Sequence, residues 1–186
     1  MLRLFFALQP PPELGAPLLA TAAPLLVALQ SPAVPVSNLH ATLSFVGAVA
    51  PERLHDLRSA AARVRGAPIE LCFDLFEFWD KPRVLIAGTS QASPAAEALS
   101  LALHESTIAA GFAPDQKPFR AHLTLARKIS PTEAGKISWP QKIAPGFVVR
   151  CDRFALMESR RAEHGSVYSV IDSWPLYETQ DCRVIQ

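Results

Sequence analysis

Asn38-Leu39-His40-Ala41-Thr42-Leu43-Ser44-Phe45-Val46-Gly47 and, 82 positions later, Ala121-His122-Leu123-Thr124-Leu125-Ala126 carry the same four-residue word, His-x-Thr-Leu, inside apolar, strand-like runs. In an extended strand, residues i and i+2 share a face and lie about 7 Å apart. His40 and Thr42 therefore project together while Ala41 and Leu43 turn into the core. His122 and Thr124 stand in the same relation to Leu123 and Leu125. Each copy delivers one imidazole and one hydroxyl to a surface. If the two strands face each other across a cleft, the site holds two groups that titrate near neutrality and two hydroxyl donors. Such a site can take a proton from one oxygen and return it to another, and it needs no metal to do so.

The rest of the chain is read outward from these strands. Arg3 to Leu8 is a buried strand. Pro10 to Leu29 is helical in composition, with Pro17 and Pro24 expected to kink or break it. The first motif strand runs from Val36 to Val46 and ends at Gly47. Pro51 opens a helix to about Val64, with Leu54, Leu57 and Val64 at helical spacing. Ile69, Leu71, Phe73 and Leu75 alternate with polar residues as a half-buried strand, which pairs with Arg83–Gly88 across a turn at Asp80-Lys81-Pro82. Ser93-Pro94 starts a helix to Gly111 with Leu99, Leu103 and Ile108 inward. Phe119–Ala126 is the second motif strand and Gly135–Gly146 a loop. Phe147–Glu158 and Ser166–Asp172 form a hairpin joined by residues 159–165. Long antiparallel strands with two or three helices predict an α+β fold.

Composition narrows the function. The 186 residues carry a net charge of +1, so no global basic field exists to hold long nucleic acid. From Ser31 to Ala50 there is no formally charged side chain, whereas Lys117, Arg120, Arg127 and Lys128 cluster around the second motif without a carboxylate. That stretch suits a small anionic ligand, and it equally suits an edge strand carrying protective cations. No apolar run reaches the length of a membrane span, and Leu2–Leu8 is too short for a signal-peptide core, which predicts a cytoplasmic protein. Cys72, Cys151 and Cys182 are an odd number without a close pair, arguing against disulfides and a zinc site. His55 and His104 occupy polar helical positions and His164 a hairpin tip; all three read as solvated.

With the motif strands in place, the sequence resembles the 2H phosphoesterase superfamily, and within it the bacterial and archaeal RNA 2′,3′-cyclic phosphodiesterases, also called 2′-5′ RNA ligases. The likeness rests on Arg3-Leu4-Phe5-Phe6-Ala7, on both motifs with their flanks, and on a closing strand with Tyr168 and Trp174-Pro175-Leu176. Ala41, Ala121 and Val170 depart from the usual pattern, in packing rather than in reacting groups. The resemblance implies a single domain over residues 1–186 made of two lobes related by a pseudo-twofold. Each lobe would be an antiparallel sheet with flanking helices, and the active site would lie in the cleft between them. It implies metal-independent opening of a terminal RNA 2′,3′-cyclic phosphate to a 2′-phosphate, with reverse 2′-5′ ligation. His40 matches the general acid that protonates O3′ and His122 the base that activates water, although the pseudo-symmetry leaves exchange of the roles open. Thr42 and Thr124 match the phosphate-binding hydroxyls, Arg127 a cation beside the cleft, and Phe6 an aromatic that stacks on the terminal base. No cofactor is implied, and the partners are RNA ends or nucleotides bearing the cyclic phosphate, met by a monomer with no obligate protein partner. Three rivals remain. One is the same chemistry on a small nucleotide such as ADP-ribose cyclic phosphate or on a trimmed RNA 3′ end. Another is a non-catalytic RNA- or nucleotide-binding module, and the third is a two-histidine metal protein, which lacks further ligands to complete a shell.

Overall fold

Residues 1–163 and 165–177 are described by a computed structural model of the chain; His164 and Cys182 lie outside them. The elements are β1 (Leu2–Leu8), α1 (Pro12–Ala28), β2 (Ala41–Val49), α2 (Leu54–Ala61), β3 (Ile69–Trp79), β4 (Val84–Gly88), α3 (Pro94–Ala109), β5 (His122–Arg127), α4 (Pro131–Ala134), β6 (Gln141–Cys151), β7 (Arg153–Ala162) and β8 (Gly165–Pro175). They build an α+β fold of two antiparallel four-stranded sheets, ordered β2-β1-β7-β8 and β5-β4-β3-β6. Each motif strand is the edge of its own sheet, and the two edges approach one another.

Alternation along β1 divides its apolar run between two environments. Leu4, Phe6 and Leu8 enter the main core, which runs through both sheets and the helices. Phe5 and Ala7 point to the opposite face, where they pack with Ala155 and Met157 of β7 under Phe45 and Tyr168.

The repeat extends to the backbone. Phe6 pairs with Ser44 and Ala7 with Thr42, leaving Leu43 as an extra residue. Leu85 pairs with Ala126 and Ile86 with Thr124, leaving Leu125 extra. Each copy thus carries a β-bulge at the leucine of its motif, which bends the edge strand just after the threonine. A further irregularity in β2 leaves Val46 extra, next to Gly47, whose φ of +89° only glycine adopts without strain.

Each edge strand is braced from the other half of the chain. Before β2, Val34 N–H donates to Leu125 of β5 (2.8 Å), and Ala33 bridges to Ala126. Before β5, Asp115 N–H donates to Phe45 of β2 (2.9 Å).

Several boundaries differ from the sequence expectations. The first motif strand starts at Ala41 because Val36–Asn38 forms a 3-10 turn after Pro35, and it passes through Gly47 to Val49. Helix α1 is continuous across Pro17 and Pro24. Both prolines sit seven residues apart on the exposed side, so the carbonyls they leave free, those of Glu13 and Ala20, are open to water. The predicted strand Phe147–Glu158 is two strands, since the chain leaves one sheet and enters the other at Asp152. Strand β6 begins inside the predicted loop. Its Pro145 is tolerated because β6 is an edge strand and the residue falls in the unpaired stretch between Lys142 and Phe147. On α3, Leu99, Leu103 and Thr107 are buried at spacings of four, which turns Ile108 outward. Cys72 is exposed and Cys151 buried. Among the described residues, no helix is long and apolar enough to cross a membrane.

Candidate active site

The two halves present their histidines in the same way. His40 immediately precedes β2 and His122 is the first residue of β5. The Nδ1 of His40 lies 2.8 Å from the Asn38 carbonyl, and the Nδ1 of His122 lies 2.7 Å from the Arg120 carbonyl. A carbonyl only accepts, so each Nδ1 must carry a proton. Each neutral ring therefore leaves Nε2 as a bare lone pair, ready to accept a proton and, once charged, to donate one.

Both accepting carbonyls belong to residues whose own side chains are tied to another strand. Asn38 Nδ2 donates to the Ser166 carbonyl on β8 (2.8 Å). Arg120 Nη2 donates to both carboxylate oxygens of Glu77 on β3, at 2.6 and 2.7 Å. Around His122 this clamp extends further. Trp79 Nε1 donates to Glu77 (3.1 Å), the Arg120 guanidinium lies 5.2 Å from the Trp79 ring centroid, and the indole sits 4.5 Å from the imidazole. Gly88, opposite His122 in the ladder, lies close under Ile86, whose Cδ1 would be 3.0 Å from a Cβ placed there. Around His40 the partners are aromatic: Phe5 at 4.8 Å and the edge of Tyr168 at 4.7 Å.

Thr42 lines both of the cavities that open beside the histidines. One, of about 720 Å³, includes His122, Trp79, Ser44 and Phe119. The other, of about 320 Å³, includes His40, Phe5, Phe45, Arg127 and Tyr168. Thr124 is half-buried two residues after His122, while Leu123 and Leu125 are buried, as the alternation predicts. Arg127 is exposed at the end of β5, with Nη2 3.3 Å from the Tyr168 hydroxyl.

Phe6 requires a correction. It is wholly buried in the core against Phe154 and Trp174. Alternation along β1 admits only one of the two phenylalanines to the cleft, and that one is Phe5.

Burial is the main influence on both imidazoles. It drives His40 from 6.5 down to about 4; the Asn38 carbonyl opposes this, while the charges of Arg127 and His122 reinforce it. His122 is also lowered, first by burial, then by Arg120 and Arg127, with the Arg120 carbonyl and Glu77 acting in the opposite sense. Charge on His122 depresses His40, so the two titrate as a coupled pair. Among the described residues, no three His, Cys, Asp or Glu side chains converge as a metal shell.

Phe45, Trp79, Glu77, Arg120 and Tyr168 were not singled out as site residues by the sequence. Phe45 and Tyr168 stood among quoted flanks, a usable signal. Trp79 and Glu77 follow a register shift between Phe73 and Leu75 that resets which face each residue takes.

Residues 10–163 match the family model of the 2′-5′ RNA ligase superfamily. The chain is 30% identical over 176 residues to the RNA 2′,3′-cyclic phosphodiesterase of Escherichia coli strain K12, covering 94% of this chain and 96% of that protein. The crystal structure of E. coli LigT in apo form is similar with a TM-score of 0.84, 26% identity and coverage of 95% and 98% of the two chains. E. coli LigT complexed with 3′-AMP gives a TM-score of 0.83 at 26% identity, over 94% and 98%.

Proposed function

The chain belongs to the 2′-5′ RNA ligase superfamily, and on that premise we propose that it is an RNA 2′,3′-cyclic phosphodiesterase that leaves a 2′-phosphate. The observation that carries this reading is the paired imidazoles, each with Nδ1 fixed on a carbonyl and Nε2 free, on cavities joined at Thr42.

In this mechanism water attacks the phosphorus opposite O3′, and His122 Nε2 removes the water's proton as the new P–O bond forms. The P–O3′ bond breaks, and His40 Nε2–H protonates the departing oxygen, leaving a 3′-hydroxyl and a 2′-phosphate. His40 is hard to protonate in the empty site. Arrival of the phosphate anion raises it, so the acidic proton is gained with the substrate. The hydroxyls of Thr42 and Thr124 donate to the non-bridging oxygens, and Arg127 adds positive charge at the rim. A 5′-hydroxyl in place of water would yield a 2′-5′ linkage by the same step.

The test is turnover of a 2′,3′-cyclic phosphate end to the 2′-phosphate. His122→Ala should lose about 10²–10⁴-fold in kcat, and the His40→Ala/His122→Ala double variant little more. Activity should persist in EDTA. Full turnover by His122→Ala, or loss in EDTA reversed by a divalent metal, would overturn the reading.

A further inference from the structure

The two cavities that meet at Thr42 also share Arg3 and Phe45, yet their charge differs. In the larger, the cations Arg3, Lys117 and Arg120 stand with the carboxylates of Glu97 and Asp115. Lys117 is paired with Asp115 and Arg120 with Glu77, so little positive charge is left to attract an anion. The smaller cavity is lined by Arg3, Arg127 and Arg161 and, among the described residues, by no carboxylate. None of these three forms an ion pair among the described residues.

Strand alternation explains the third arginine. On β7, Glu158 and Arg160 share one face and pair with each other at 3.1 Å. Ser159 and Arg161 take the opposite face and line the cavity. The Arg3 guanidinium lies 4.8 Å from the Phe45 ring centroid, and Arg127 is held by the Tyr168 hydroxyl. Three arginines thus line the groove that holds His40, with no counter-charge among the described residues.

Resting on the reading above, we propose that this groove binds the phosphodiester immediately 5′ of the terminal nucleotide, so that the enzyme prefers an RNA chain end to a cyclic mononucleotide. A mononucleotide carries one phosphate, and the His–Thr centre takes it. The next phosphate exists only in a chain, and a planar, unpaired guanidinium matches its two free oxygens. The carboxylates of the larger cavity would repel it.

The experiment compares kcat/KM for a nucleoside 2′,3′-cyclic phosphate with that for a dinucleotide ending in the same group, in wild type, Arg161→Gln and Arg161→Lys. Arg161 is exposed on its strand, so both variants should fold. The wild-type ratio should favour the dinucleotide and fade as salt rises. Arg161→Gln should lower that ratio about fivefold, as expected for one exposed charge contact, and Arg161→Lys should keep most of it. A wild-type ratio and salt response in Arg161→Gln would overturn the groove assignment. Turnover of neither substrate by wild type would instead overturn the cyclic phosphodiesterase reading.

Discussion

His40 sits between Phe5 and Tyr168, and the burial that aims its Nε2 also makes it costly to charge. The unfolded chain protonates this ring near 6.5 and the native protein only near 4. Between those values the unfolded state binds more protons, so acid favours unfolding. The difference of about 2.5 units, at 1.36 kcal/mol each, sets a ceiling slightly above 3 kcal/mol, and about 3 kcal/mol of that is gone by pH 4. The contribution is intact above pH 6.5 and lost as pH falls through about 4. His40→Asn removes the titration while keeping a donor for the Asn38 carbonyl. Urea unfolding of both proteins between pH 7 and pH 4 should show wild type losing about 3 kcal/mol more than the variant over that span. Proton NMR should place the His40 midpoint near 4 and move it upward when a 2′-nucleotide binds. Parallel stability curves, with a His40 midpoint near 6.5, would refute the reasoning.

Glu77→Gln withdraws a charge that raises His122 and leaves the Arg120 charge uncompensated beside it, so the His122 midpoint should fall by NMR; a rise would contradict the clamp. Gly47→Ala meets no atom within 4 Å of the new Cβ, and its cost is backbone strain alone, about 1–2 kcal/mol in urea unfolding. An unchanged midpoint would mean β2 does not hold that conformation. Phe6→Ala should cost about 3–5 kcal/mol of stability, as for a core phenylalanine, and a near-neutral effect would return Phe6 to the cleft.

The motif strands were legible because a period of two is written directly in His-Ala-Thr-Leu and His-Leu-Thr-Leu, and the burial of Leu43 and Leu125 against half-buried Thr42 and Thr124 repeats it. Neighbouring features lacked such a signal. Phe5 and Phe6 stand in an unbroken apolar run, and only the pairing of β1 with strands on both sides decides which ring reaches the cleft. The prolines of α1 read as breakers because local propensity does not show that both face water. The passage from β6 to β7 is hard to see because only Arg150-Cys151-Asp152-Arg153, with no glycine or proline, separates the apolar runs Phe147–Val149 and Phe154–Met157, although the two runs serve different sheets. Glu77 and Arg120 are 43 residues apart, and nothing local announces their pairing.

The reciprocal straps make each reactive edge depend on the opposite half. Ala33-Val34 steadies β5, and Asp115 steadies β2, so each half lends its leading segment to the strand that carries the other's imidazole. Neither half, expressed alone, would finish its own reactive edge. Displacing either leading segment would therefore loosen the imidazole on the opposite edge, so a change before one histidine should be felt at the other.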